Sequence, residues 1–209
     1  MAFIKQKTQQ SINEDERSAP RDFDGLCLEL NHDDAQVRRW AIRDLATYTQ
    51  ASSTLAARLK IEDNSSVRTA ILDALAKFSD DISVSALVDC LRSDEASLRN
   101  EAIEVLKSEP EQVAPIIENL LNDSDSDVRI FAVNILESLQ HQNVEKWLIS
   151  VINNDSHINV CATAVDLLSE VGTENAVNAL ENLKCRFADE PYICFTVDLA
   201  LQRIRQGDH

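Results

Sequence analysis

The sequence predicts an all-α protein, an α-solenoid of six helical hairpins. Three observations point there. Glycine and proline are scarce, three and four residues in a chain of 209, too few for the turns of an all-β or doubly wound fold of this size. One pattern recurs six times at nearly equal spacing. Within each copy the apolar residues keep the helical period.

Each copy holds a small or acidic cluster, an aliphatic anchor, usually an arginine, and apolar residues four and eight positions on. The copies read DDAQVRRWAIRDL, DNSSVRTAILDAL, DEASLRNEAIEVL, DSDVRIFAVNIL, SHINVCATAVDLL and EPYICFTVDLAL. The anchors are Val37, Val67, Leu98, Val128, Val160 and Ile193, separated by 30, 31, 30, 32 and 33 residues. Apolar positions at +0, +4, +5 and +8 from the anchor draw one face of a helix, the B helix of each unit.

A shorter amphipathic stretch, the A helix, precedes each anchor. In units 22–51, 52–80, 81–110, 111–140 and 141–172 it carries Leu26 and Leu30, Leu55 and Leu59, Leu87 and Leu91, Ile117 and Leu121, and Leu148 and Ile152. In the sixth unit, 173–209, the gap is longer, since Leu183 lies ten residues before Ile193. The joins are rich in Asp, Asn and Ser (NHDDA, EDNSS, SDEAS, NDSDSD, NNDSH). Their oxygens suit the free N–H groups that open the B helix. One hairpin cannot bury its apolar face alone, but stacked hairpins share a continuous core. Residues 1–21, with only Phe3 and Ile4 as an apolar trace, read as a flexible arm or as a helix capping the first unit.

Composition narrows the function. The hydrophobic share of 44% and charged share of 27% are ordinary for a globular chain. The net charge is −16, and because residues 1–21 carry a net +1, the array carries −17. Such a surface repels phosphate backbones and anionic lipid, which argues against nucleic acid and membrane partners and favours a partner with a basic patch. No apolar run approaches the roughly 18 residues of a spanning helix, and the N-terminus lacks the apolar core of a secretion signal. The five cysteines are odd in number with no CxxC pair, a pattern suited to a reducing, cytoplasmic setting.

The Asp/Asn-rich turn followed by V-R-x-x-A-hydrophobic-x-x-L, clearest at Asp34–Leu45 and Asp125–Leu136, resembles the HEAT-like repeats grouped with the phycobilin-lyase type. The resemblance covers about nine-tenths of the chain. Tetratricopeptide and ankyrin signatures are absent from the sequence. The resemblance implies a structural ladder: Arg38, Arg68, Arg99 and Arg129, each one after its anchor, would bridge to an Asp in a neighbouring unit's turn. The pattern departs at Cys161 and Cys194, where the ladder should stop and the last two units could stack differently.

Catalytic constellations are thin. HEAT-like diiron hydroxylases resemble this fold and use His-Glu dyads, but none of His32, His141, His157 and His209 precedes Glu, and no HExxH exists. HEAT-like DNA glycosylases work with a basic surface, the opposite of this one. His157 and Cys161 are one turn apart and could meet, although a buried thiol on a packed face explains Cys161 more simply. Cys90 and Cys185 read as core. The resemblance to lyases implies that a groove with Trp40, Phe131 and Phe195 could hold a tetrapyrrole, bilin or haem. Core filling explains these aromatics more simply. No metal or cofactor ligand set emerges.

In such arrays the B helices line the concave side. Their exposed stripe is expected at +2 (Arg39, Thr69, Asn100, Ile130, Ala162, Phe195) and +6 (Arg43, Asp73, Glu104, Asn134, Asp166, Leu199). The stripe starts basic, turns acidic and ends apolar, unless the helix phase is off by one position and the apolar members are buried. The expectation is a non-catalytic scaffold or adaptor that holds another protein in this groove. Asp73, Glu104 and Asp166 would meet basic groups, and Ile130, Phe195 and Leu199 would anchor apolar ones. The alternative is a tetrapyrrole lyase or chaperone.

Overall fold

A computed structural model describes residues 22–78 and 80–206; the arm or capping helix expected at 1–21 lies outside them. The described residues form thirteen α-helices and no strand. The first three hairpins are α1 (Phe23–Glu29) with α2 (Ala35–Leu45), α3 (Ser52–Leu59) with α4 (Ser65–Phe78), and α5 (Asp81–Cys90) with α6 (Ala96–Ser108). Next come α7 (Pro110–Val113) and α8 (Ile117–Leu121) with α9 (Ser126–Leu136). The last two are α10 (Val144–Asn154) with α11 (Ile158–Val171), and α12 (Val177–Arg186) with α13 (Pro191–Gln206). The chain is an all-α solenoid.

The turns start the B helices as their composition dictates. Asp34 Oδ1 accepts from Gln36 N at 2.8 Å, and Asp125 Oδ1 accepts from Asp127 N at 2.9 Å. Asn64 Oδ1 accepts from Val67 N at 3.2 Å. Each bond satisfies a donor that the first helical turn cannot pair internally.

The B helices stack in order, α2 on α4, α4 on α6, α6 on α9, α9 on α11 and α11 on α13. Their +4 residues (Ala41, Ile71, Ala102, Ala132, Ala164, Val197) and +8 leucines (Leu45, Leu75, Leu106, Leu136, Leu168, Leu201) are all buried. Alanine at +4 in four units lets neighbouring helix axes approach closely. The A layer is less regular. Helix α3 packs on α5, and α10 on α12. The A segment of the fourth unit, expected as one helix, is instead split into α7 and α8. Pro115 offers no N–H to continue the ladder, and the chain turns at Ile116 (φ −106°, ψ −10°).

Candidate partner-binding surface

The arginines at +1 stitch successive units. Arg38 donates through Nη1 to His32 O (2.8 Å) and Asp33 O (2.9 Å) in its own turn. Its Nε and Nη2 form a fork on Glu62 Oε2 (2.9 Å) and Oε1 (2.8 Å) in the next turn. Arg58 Nη2 also donates to Glu62 Oε2 at 2.6 Å. Burial pushes the Glu62 carboxyl up, but these guanidinium bonds and the Asn64 N–H outweigh it and bring it down to about 2. Arg129 repeats the geometry on Asp155, at 2.7 and 3.1 Å, with Nη1 on Asp123 O at 2.8 Å. Arg68 Nη2 reaches Glu95 at 2.5 Å.

Arg99 departs from this. Its Nη1 donates to Ser93 O at 2.6 Å and its guanidinium lies 6.0 Å from the Phe131 ring centroid. Among the described residues it has no carboxylate partner; Asp123 pairs with Arg92. The acceptors found in this ladder are thus two glutamates and one aspartate, where the resemblance implied an aspartate.

At Cys161 the ladder changes donor. The thiol keeps the contact of the arginine it stands for, donating to Asp155 O six residues back at 3.3 Å. Arg186, from α12 of the following unit, fills the vacated space. Its Nη2 donates to Ile152 O and Asp155 O, both at 2.8 Å, and approaches Cys161 Sγ at 3.4 Å; Nη1 donates to Asn153 O at 2.8 Å. Burial raises the Cys161 thiol above its ordinary value. His157 Nδ1 is buried and makes no hydrogen bond among the described residues, and the Cys161 thiol faces Asp155 O and Arg186. Cys194 likewise lies near Ala188 O, six residues back, at 3.8 Å.

These contacts orient the units. Position +1 reaches the next unit, and so does +9, since Lys107 Nζ donates to Glu137 at 3.0 Å. Position +5, between them, therefore faces the next unit too. It reads Ile42, Leu72, Ile103, Val133 and Val165, all buried, then Asp198, exposed. Asp198 accepts from Lys184 at 2.5 Å, and Arg205 pairs with Glu181 at 2.8 Å. Ion pairs thus occupy the outer face of the sixth hairpin.

On the B-helix face Arg43, Asp73, Glu104, Asp166 and Leu199 are exposed and Asn134 is half-buried. None of Arg39, Arg43, Asp73, Glu104 and Asp166 joins an ion pair among the described residues. Partial burial and the neighbouring Glu170 raise the Asp166 carboxyl. At +2, Thr69 and Asn100 are exposed while Arg39 and Ile130 are half-buried. One member of the row departs: Ala162 is buried. Phe195 keeps its place on the row, 67% exposed beside Tyr192 and Leu199, so the simpler core-filling reading of this aromatic fails. Cys185, expected in the core, is exposed. It lies two residues past buried Leu183, about 200° round the helix.

Several clefts open among the described residues. One of about 220 Å³ lies between α9 and α11, rimmed by Asp166 and Glu170. The others lie in the A layer. The broken A segment is flanked on one side by a cavity of about 600 Å³ against α5, and on the other by one of about 420 Å³ against α10. A cleft of about 380 Å³ lies between α3 and α5. Trp40, Phe131 and Phe195 sit on three separate units and line none of these clefts. Among the described residues no three His, Cys, Asp or Glu side chains converge as metal ligands would. No helix there is long and apolar enough to cross a membrane. The sequence left two features unremarked: Arg186, which belongs to no repeat position, and Pro115, whose effect its residue type does signal.

A family model described as HEAT repeats matches residues 23–107 and 113–186. The chain belongs to the HEAT-repeat family. No curated protein matches it. Among solved structures this HEAT array is similar to a chain from a study of tubulin recruitment and assembly by microtubule polymerases with tumor overexpressed gene domain arrays. That match has 13% identity and a TM-score of 0.57, covering 86% of this chain and 45% of the other. A chain from a structure of microtubule plus-end tracking by XMAP215, CLIP-170 and EB1 matches at 11% identity and TM-score 0.51, covering 86% and 89%. A computationally designed armadillo repeat protein for modular peptide recognition matches at 17% and 0.41, covering 86% and 98%. At these identities the likeness is one of fold.

Proposed function

We propose that this HEAT array is a non-catalytic protein-binding scaffold, working in a reducing, cytoplasmic setting, whose B-helix face grips a partner bearing basic and apolar side chains. One observation carries the reading: Asp73, Glu104 and Asp166 stand exposed along a single row with no cation of their own among the described residues, and that row ends at Leu199, beside Phe195. A partner lysine or arginine would relieve the repulsion between Asp166 and Glu170. Charges of this kind steer encounter more than they set final affinity. Tyr192, Phe195 and Leu199, three and four residues apart on α13, supply the apolar anchor; Ile130, half-buried, adds to it from α9. Arg39 and Arg43 mark the other end of the face and set the polarity of the bound segment.

The test is capture from native lysate on the immobilised full chain, at low and high salt. The paired change Asp73→Lys and Glu104→Lys should weaken capture of the dominant salt-sensitive protein about tenfold, with the thermal melt unmoved. Unchanged capture would remove this face from the proposal.

A further inference from the structure

We infer that the cleft between α5 and the broken α7–α8 segment is a second docking site, on the A-helix face, for a short amphipathic segment of a partner protein carrying aliphatic and basic side chains. The site owes nothing to the B-helix row. It exists because Pro115 interrupts the A layer. Where A helices are intact, α3 packs on α5 and α10 on α12. Here a cavity of about 600 Å³ remains, within the range of about 300–1,000 Å³ that holds ligands.

Its floor is apolar. Val84, Val88 and Ile116 are half-buried and Leu120 is buried, surface that a regular neighbouring helix would have covered. Its rim is acidic. Asp81 and Glu111 are exposed and in no ion pair among the described residues, Asp123 is tied to Arg92, and neither Lys nor Arg lines the cleft. The cleft also continues. Asp81 and Ser85 line both this cavity and the one toward α3, where Ile82 is 49% exposed and Lys60 pairs with Asp89 at 4.0 Å. An elongated apolar floor with acidic edges fits a helical segment that lays aliphatic residues inward and presents lysines or arginines to the rim. A compact small molecule would leave most of that length empty.

The experiment uses the full chain and a fluorescein-labelled synthetic 14-residue helix with leucines on one face and lysines flanking them. A second peptide carries glutamates in place of the lysines. Anisotropy should show micromolar binding of the lysine peptide. Ser85→Trp, which plugs the cleft from an exposed position, should weaken it at least tenfold. Asp81→Lys with Glu111→Lys should weaken it about fivefold at low salt, and Asp73→Lys with Glu104→Lys should weaken it by less than that.

Wild-type binding by Ser85→Trp, equal binding of the glutamate peptide, or equal loss in the B-face variant would each overturn the site. Two other results would reassign the cleft and so also overturn the partner reading. One is tighter peptide binding after Lys5→Glu and Lys7→Glu, which would make the chain's own N-terminal segment the occupant. The other is a peptide-free dimer that Ser85→Trp dissociates, which would make it a second copy. The B-face proposal stands or falls separately, on Asp73 and Glu104.

Discussion

Glu62 has no exposed side-chain surface, yet it is a carboxylate. It is tolerated because two guanidinium groups and a backbone N–H supply five hydrogen bonds to it. Glu62→Gln keeps the shape and removes the charge, leaving Arg38 buried against a weaker acceptor. We expect a loss of about 3 kcal/mol in urea unfolding at pH 7, typical of breaking a buried pair. The pH profile gives a second readout. The folded carboxyl lies at about 2, below the roughly 4.3 of an unfolded chain. The stability it adds is therefore complete above the unfolded value and is lost as pH falls through the folded one. In the variant, the acid-side loss between about pH 5 and pH 2 should shrink.

At the scale of the element, the substitution of Cys161 for a ladder arginine changes what holds two hairpins together. In earlier units the bridging arginine sits on the B helix and reaches forward. At the fifth unit Arg186 reaches backward from α12 and binds the carbonyls at the end of α10 and in the following turn. Arg186→Ala leaves those carbonyls to water, since Arg186 is itself partly solvated, so the cost is modest. A loss of about 1–2 kcal/mol is expected. Hydrogen exchange should localise it: amides of α12 and α13 should exchange faster while those of α2–α6 keep their protection. Uniform acceleration along the array would instead mean that the solenoid unfolds as one unit.

For the whole molecule, the feature that stands out is the polar outer face of the sixth hairpin. Solenoids expose an apolar face wherever stacking stops unless the last unit is polar there. Asp198 replaces the aliphatic residue that every earlier unit carries at +5, and its pairing with Lys184 keeps that face hydrated. Asp198→Val restores the repeat consensus without a hairpin to cover it. The variant should associate in a concentration-dependent way relative to the parent chain, read as a rising sedimentation coefficient at tens of micromolar. An unchanged coefficient would mean that Lys184 and Gln202 alone suffice to block stacking. The apolar Tyr192, Phe195 and Leu199 sit beside this polar face, which favours a partner over another copy as their cover.

The sequence by itself determined the helices, their pairing into hairpins and the row of residues on each B-helix face. Those follow from a local period of 3.6 residues and from turn oxygens a few positions away. It also marked the ladder arginines, because recurrence exposes them. Their acceptors were less legible, since Glu62, Glu95 and Asp155 lie 24 to 27 residues on, among many turn acids. Only the tertiary structure decided the rest. Ala162 and Phe195 occupy the same +2 position, yet one is buried and the other exposed, a difference that the helical period by itself does not contain. Pro115 signals a break in the sequence, but the cleft it leaves depends on α5 and α10 standing on either side. Arg186 fills a gap made 25 residues earlier, a relation that exists only once two hairpins are stacked, since burial and stitching between units are properties of neighbours in space.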